Sequence, residues 1–228
     1  MNAQPAQFIG SLVRKIEAST GGLTSVDFSP NILLLAAGSW DGSVGLWRLS
    51  DGHLLRTLQG HDNSVRDVTF SPNGNLLASA SEDNTIKLWQ VSDGSLVHTL
   101  PGHTAPIRSL AFPPDGTWLA SASEDHTVGM WLLSDGSPVR SLHGHSEPVF
   151  SVVFSTDGSL LASGAGDETL RLWQVTNGEM LSILTEHYQF SHNKHERFVN
   201  LVPANVSLQL GLENVVRAFP ILVDDVIP

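Results

Sequence analysis

Serine, histidine and aspartate recur together in this 228-residue chain. That trio can activate a hydroxyl nucleophile, with the imidazole taking the serine proton and the carboxylate orienting the ring. His61, Ser79 and Asp83 form one set, His103, Ser121 and Asp125 a second, and His145, Ser163 and Asp167 a third. A hydrolase needs its triad once. Three copies at one spacing, each followed by a tryptophan (Trp89, Trp131, Trp173), point to structural duty within a repeated unit, so no catalytic residue is assigned. Zero cysteines exclude a thiol nucleophile, disulfides and thiolate zinc sites. No glycine-rich phosphate loop appears, and no cofactor is expected.

The elements that position these residues repeat every 42 residues. Trp47, Trp89, Trp131 and Trp173 keep that step, as do Asp41, Asp83, Asp125 and Asp167, and the pairs Gly60-His61, Gly102-His103 and Gly144-His145. Turn pairs recur in the same phase: Asn73-Gly74, Asp115-Gly116 and Asp157-Gly158 in one series, then Asp51-Gly52, Asp93-Gly94, Asp135-Gly136 and Asn177-Gly178 in another. Such pairs supply the positive φ of tight hairpins. The apolar runs between them, as at 65–70, 76–81, 85–90 and 96–100, are too short for helices and read as strands. Each unit is therefore a four-stranded antiparallel sheet. A lone sheet of 42 residues cannot bury both faces, and radial stacking does so, giving an all-β propeller.

The spacing from Gly-His to Trp, about 28 residues, and the string LASASEDNTIKLW before Trp89 resemble WD-repeat propellers over residues 12–187. The Asp that usually follows the Trp is replaced by Arg48, Gln90, Leu132 and Gln174. The resemblance implies a buried chain in each blade in which Trp donates to Ser, Ser to His and His to Asp. Each group then offsets the next one's desolvation. Ser79 and Ser81 lie on one face of a strand and both could serve. The first unit has Ser19 in place of His and Ala37 in place of Ser79 while Ser39 remains, and the fourth keeps Ser163 but has Ala165. The expected tetrads are thus His61, Ser79, Asp83, Trp89; His103, Ser121, Asp125, Trp131; and His145, Ser163, Asp167, Trp173.

Blades are expected at about 19–60, 61–102, 103–144 and 145–187, which form the domain 1–187 together with an outer strand at 12–16. A divergent tail follows at 188–228. Seven such blades would need more than 228 residues. The tail with 12–16 could build an irregular fifth blade; a helix over 206–219, a loose tail or a piece of a larger propeller are the alternatives. An open arc would leave unpaired surfaces and self-associate.

Twelve basic against 23 acidic residues give a net charge of -11, which disfavours nucleic acid. No apolar run of 18 residues or basic-then-apolar start is present, so no membrane association is expected and the cytoplasm is the default compartment. His187, His192, His195 and Glu196 cluster without a helical pattern to aim them at a metal, so no metal site is assigned. Asn205-Val206-Ser207 matches a glycosylation sequon only formally.

Function then falls to the surface. The resemblance implies partner binding where the loops before the first strand and after the second converge. Carried over by position, the exposed residues there are Thr24 and Trp40, then Ser64, Arg66 and Glu82, then Pro106, Arg108 and Glu124, then Pro148 and Phe150. Aromatic residues beside arginines have the makeup of an interaction hot spot. The leading expectation is a non-enzymatic scaffold for peptide or protein partners. The alternatives are a fragment or degenerate copy of a larger WD-repeat protein, and a propeller enzyme or carbohydrate binder using the central channel.

Overall fold

A computed structural model describes residues 22–185, which form sixteen strands in four antiparallel sheets and no helix. Blade 1 contains β1 (Leu23–Phe28), β2 (Leu34–Ser39), β3 (Val44–Arg48) and β4 (Leu54–Leu58). Blade 2 contains β5 (Val65–Phe70), β6 (Leu76–Ser81), β7 (Ile86–Gln90) and β8 (Leu96–Leu100). Blade 3 is β9 (Ile107–Ala111), β10 (Trp118–Ser123), β11 (Val128–Leu132) and β12 (Pro138–Leu142); blade 4 is β13 (Val149–Phe154), β14 (Leu160–Ala165), β15 (Thr169–Gln174) and β16 (Met180–Thr185). Each sheet is a meander in sequence order, and the innermost strands β1, β5, β9 and β13 pack side by side in turn. The sequence pattern starts the third strand of blade 2 at residue 85. The strand starts one residue later because the Thr85 amide and hydroxyl both donate to Asp83 Oδ1, at 2.9 and 2.7 Å, closing a turn.

Three seams hold the blades together. Ala36, Val44, Leu46 and Leu58 of blade 1 meet Val65, Val68, Phe70, Leu77 and Trp89 of blade 2. The same register positions recur between blades 2 and 3, and between blades 3 and 4. Small residues on the second strand and branched ones on the third let the sheets approach, and the buried apolar area is the main stabilising term. Blade 1 shows the contrast: Val26 and Phe28 are 57% and 56% exposed, whereas their counterparts Val68 and Phe70 are buried in a seam. Within blade 4, Ala162, Leu170 and Leu172 form a separate cluster with Val153 and Leu184. The fifth blade expected from residues 12–16 and 188–228 lies outside the described residues.

The turn glycines adopt positive φ, as at Gly74 (72°), Gly116 (64°) and Gly158 (72°). In blade 1 the same position is Ile32, at φ 56°, a conformation that costs a β-branched residue roughly 1–2 kcal/mol. Ile32 is 70% exposed and buries little. Ile32→Gly is therefore expected to raise the melting temperature by about 2–4 °C, read by calorimetry; a lower melting temperature would contradict strain at this turn.

Candidate functional site

In blade 2 the tetrad is continuous. Trp89 Nε1 donates to Ser79 Oγ (2.8 Å), Ser79 faces His61 Nε2 (2.7 Å), and His61 Nδ1 meets Asp83 Oδ2 (2.8 Å). Blade 4 repeats this through Trp173, Ser163, His145 and Asp167. Burial lowers the pKa of His61 and of His145 against the raising effect of the neighbouring carboxylate, so both rings are neutral near pH 7. Burial would raise Asp83, but the Thr85 hydroxyl and His61 more than offset it and hold the carboxyl below its ordinary range. Asp125 and Asp167 are lowered the same way by their Thr and His partners. Ser81 serves elsewhere: it donates to the Asn63 carbonyl (3.0 Å) and accepts from the Asp83 amide (3.0 Å). Ser79 and Ser121 are 0% exposed and Ser163 is 1% exposed, so no substrate can reach these hydroxyls.

Blade 3 departs from the expected tetrad. His103 joins Asp125 and Ser121, each at 2.7 Å, but Trp131 Nε1 is buried with no hydrogen-bond partner among the described residues. The cause sits two residues earlier. Blades 2 and 4 carry Lys87 and Arg171 there, whereas blade 3 has Gly129, and a Cβ on Gly129 would overlap the Trp131 ring. The indole lies over the glycine, 5.3 Å from the His103 ring instead of the 6.4 Å seen in blades 2 and 4. Gly45 and Trp47 do the same in blade 1, the unit that lacks the first Ser and the His.

On the loop face, a β-bulge interrupts the first pair of strands in every blade, at Thr24, Arg66, Arg108 and Phe150. A bulge re-aims the extra residue out of the pleat. Arg66 and Arg108 therefore reach across to the turns that follow the second strands. Arg66 pairs with Glu82, Arg108 pairs with Glu124, and Arg108 Nη1 also lies 3.5 Å from Glu82 Oε1. The Arg66 guanidinium sits 5.3 Å from the Trp40 ring centroid, a cation–π distance. Trp40, Arg66, Glu82, Arg108 and Glu124 thus form one ladder across three blades. Trp40 is 60% exposed at one end; Phe150, 40% exposed, lies in blade 4 beside Gly166, which replaces the Glu.

Of the ten residues expected to be exposed on this face only Trp40 and Phe150 are; Arg66, Glu82, Pro106, Arg108, Glu124 and Pro148 are half-buried by their pairing and loop packing, and Ser64 and Thr24 are turned inward. Ser64 is buried, its hydroxyl bonded to the Trp40 carbonyl (3.2 Å), because the loop tucks under blade 1. Thr24 is half-buried and donates to the Val65 carbonyl (2.6 Å), tying blade 1 to blade 2. The carbonyls of Ser64, Pro106 and Pro148 accept from the amides of Glu82, Glu124 and Gly166, which fixes the loops that carry the ladder.

The tetrads, turns and seams share one period, and a family model for WD domain, G-beta repeat matches residues 10–48, 52–90, 94–131 and 136–174, more than half of the chain. The chain belongs to the WD-repeat family. No curated protein matches it. WD repeats generally mediate protein–protein interaction, and proteins built from them are typically non-enzymatic scaffolds. The match at 52–90 runs from the outer strand of one blade through three strands of the next, so each WD repeat straddles a seam.

The innermost strands of these WD repeats carry polar links that the sequence reading passed over. Asp67 accepts from the Leu110 amide (2.8 Å) and from Ser25 Oγ (2.8 Å), and Asp27 accepts from the Phe70 amide (2.7 Å). Desolvation pushes Asp67 up to about 6 and raises Asp27 against their backbone hydrogen bonds. Between pH 3.8 and about 6 the folded chain holds a proton on Asp67 that the unfolded chain has lost, so this group favours folding as pH falls. Both carboxylates bond to the next blade, so they join sheets. Among the described residues no cluster of three or more His, Asp or Glu could hold a metal, and no helix is long and apolar enough to cross a membrane. His187, His192, His195 and Glu196 lie outside the described residues.

Proposed function

We propose that this chain is a non-enzymatic, cytoplasmic platform that binds protein or peptide partners across its loop face. The observation that carries the reading is the ladder: Arg66 and Arg108 are lifted from their strands by bulges and held by Glu82 and Glu124, with Trp40 at one end and Phe150 in the next blade. Pre-paired charges lose little side-chain entropy on docking, and exposed aromatic residues supply the buried area of a hot spot. A partner with both acidic and basic side chains exchanges pairs with the ladder without leaving a charge unpaired. Reversing both arginines would gather four carboxylates, so the cleaner test removes the aromatic residues. Proteins retained by the immobilised chain are identified, and their affinity is compared for wild type and the Trp40→Ala, Phe150→Ala double variant. At least tenfold weaker binding is expected.

A further inference from the structure

The glycine that displaces Trp131 also opens a cleft. Gly102, His103, Thr127, Gly129 and Trp131 face the outer strand segment Pro138 to Ser141 across a space of about 240 Å³. That is below the roughly 300–1,000 Å³ of drug-sized ligand sites and suits one long side chain. Blades 2 and 4 show what belongs there. In blade 2 the stem of Lys87 lies against Gly60, which the Trp89 ring also approaches, and its ammonium donates to Thr99 Oγ1 at 3.3 Å. In blade 4 Arg171 lies over Gly144, donates to Thr169 Oγ1 (3.4 Å) and sits 3.7 Å from Asp167.

Apart from Met180, whose sulfur accepts from Arg171 (3.4 Å) and whose counterpart is Pro138, the groups that receive those two cations have counterparts in blade 3, and all but Asp125 line the cleft. Gly102 matches Gly60 and Gly144, Thr127 matches Thr169, Ser141 matches Thr99, and Asp125 matches Asp167 at one period. Arg140, the one arginine or lysine among the described residues that line the cleft, is directed elsewhere: its Nη1 and Nη2 donate to the carbonyls of Val175 and Thr176 in blade 4, at 3.0 and 3.5 Å. The corresponding space in blade 1, lined by Gly45 and Trp47, is only about 20 Å³, room for a water.

We propose that this cleft on the outer side of blade 3 receives a lysine or arginine side chain from a basic partner segment, whose charged head takes the place that Lys87 and Arg171 fill in the flanking blades. The net charge of -11 draws such a segment in. Thr127 and Ser141 supply the hydroxyls for the charged head, and the wall formed by Gly129 and the edge of Trp131 packs against the stem. This site is separate from the loop-face ladder and stands or falls without it.

The intact chain is titrated with Nα-acetyl-lysine amide and, in parallel, with the neutral Nα-acetyl-norleucine amide, following the six tryptophan indole N–H resonances by NMR. Trp131→Phe assigns the Trp131 signal. A saturable shift of Trp131 with the lysine derivative is expected, at least tenfold weaker with norleucine. It should be lost in Gly129→Lys, which supplies the amine in place, and in Ser141→Lys, which puts a cation at an exposed position of the cleft. No saturable shift, an equal response to norleucine, an undiminished response in folded Ser141→Lys, or a shift at Trp40 instead of Trp131 would overturn the proposal.

Discussion

Asp83→Ala is expected to lower the melting temperature by roughly 5–10 °C, and Asp62→Ala, one residue from His61, to change it by less than about 2 °C. Asp83 accepts from His61 Nδ1, from the Asp62 amide, and from the amide and hydroxyl of Thr85. Removing the carboxylate leaves His61 and Thr85 donors unpaired next to a buried core, at about 1–3 kcal/mol for each group that water cannot reach. Asp62 contributes only its backbone amide to this network, and alanine keeps that amide. The difference between the variants also depends on pH. The folded-state pKa of Asp83 lies below its ordinary 3.8, so its stabilisation is complete above about pH 4 and lost as pH falls through the folded value. His61 acts in the same direction, since below 6.5 the unfolded chain takes up a proton that the buried ring refuses. Equal melting curves for the two variants would contradict a structural tetrad in blade 2.

Trp89→Phe is expected to cost about 1–2 kcal/mol more than Trp131→Phe in denaturant unfolding. Both substitutions trim a buried indole to a phenyl ring of similar burial. Only Trp89 gives up a hydrogen bond, the 2.8 Å donation to Ser79, whereas in blade 3 the substitution removes a buried N–H that has no partner among the described residues. Equal costs would mean that Trp131 engages Ser121 in solution and that Gly129 does not redirect it.

The 42-residue period made the blades, their strands and their turns legible, because hairpin glycines and alternating apolar runs are local signals. The choice between Ser79 and Ser81 was also legible, since the degenerate first unit, with Ser19 and Ala37, lost the His and the first Ser together. What stayed hidden depends on relations between sheets. A bulge inserts no unusual residue, so nothing in the string VRDVTF shows that Arg66 leaves the pleat to reach Glu82. Ser64 reads as a loop residue, and only the neighbouring blade buries it. Asp67 interrupts an apolar strand, a signal that was present; its partner, the Leu110 amide, lies one blade away. The failed tetrad had a signal too: Gly45 and Gly129 stand where Lys87 and Arg171 stand in the complete units, and a missing side chain lets the tryptophan swing over the glycine.

In the proposed function these WD-repeat blades separate holding from binding: the tetrads stabilise the sheets, and the bulged loop face is the surface offered to a partner. Affinity for a retained partner, measured together with melting temperature on the Trp40→Ala, Phe150→Ala variant, tests that division most directly. At least tenfold weaker binding with melting unchanged within about 2 °C is the predicted result. Unchanged affinity in a folded variant would contradict it.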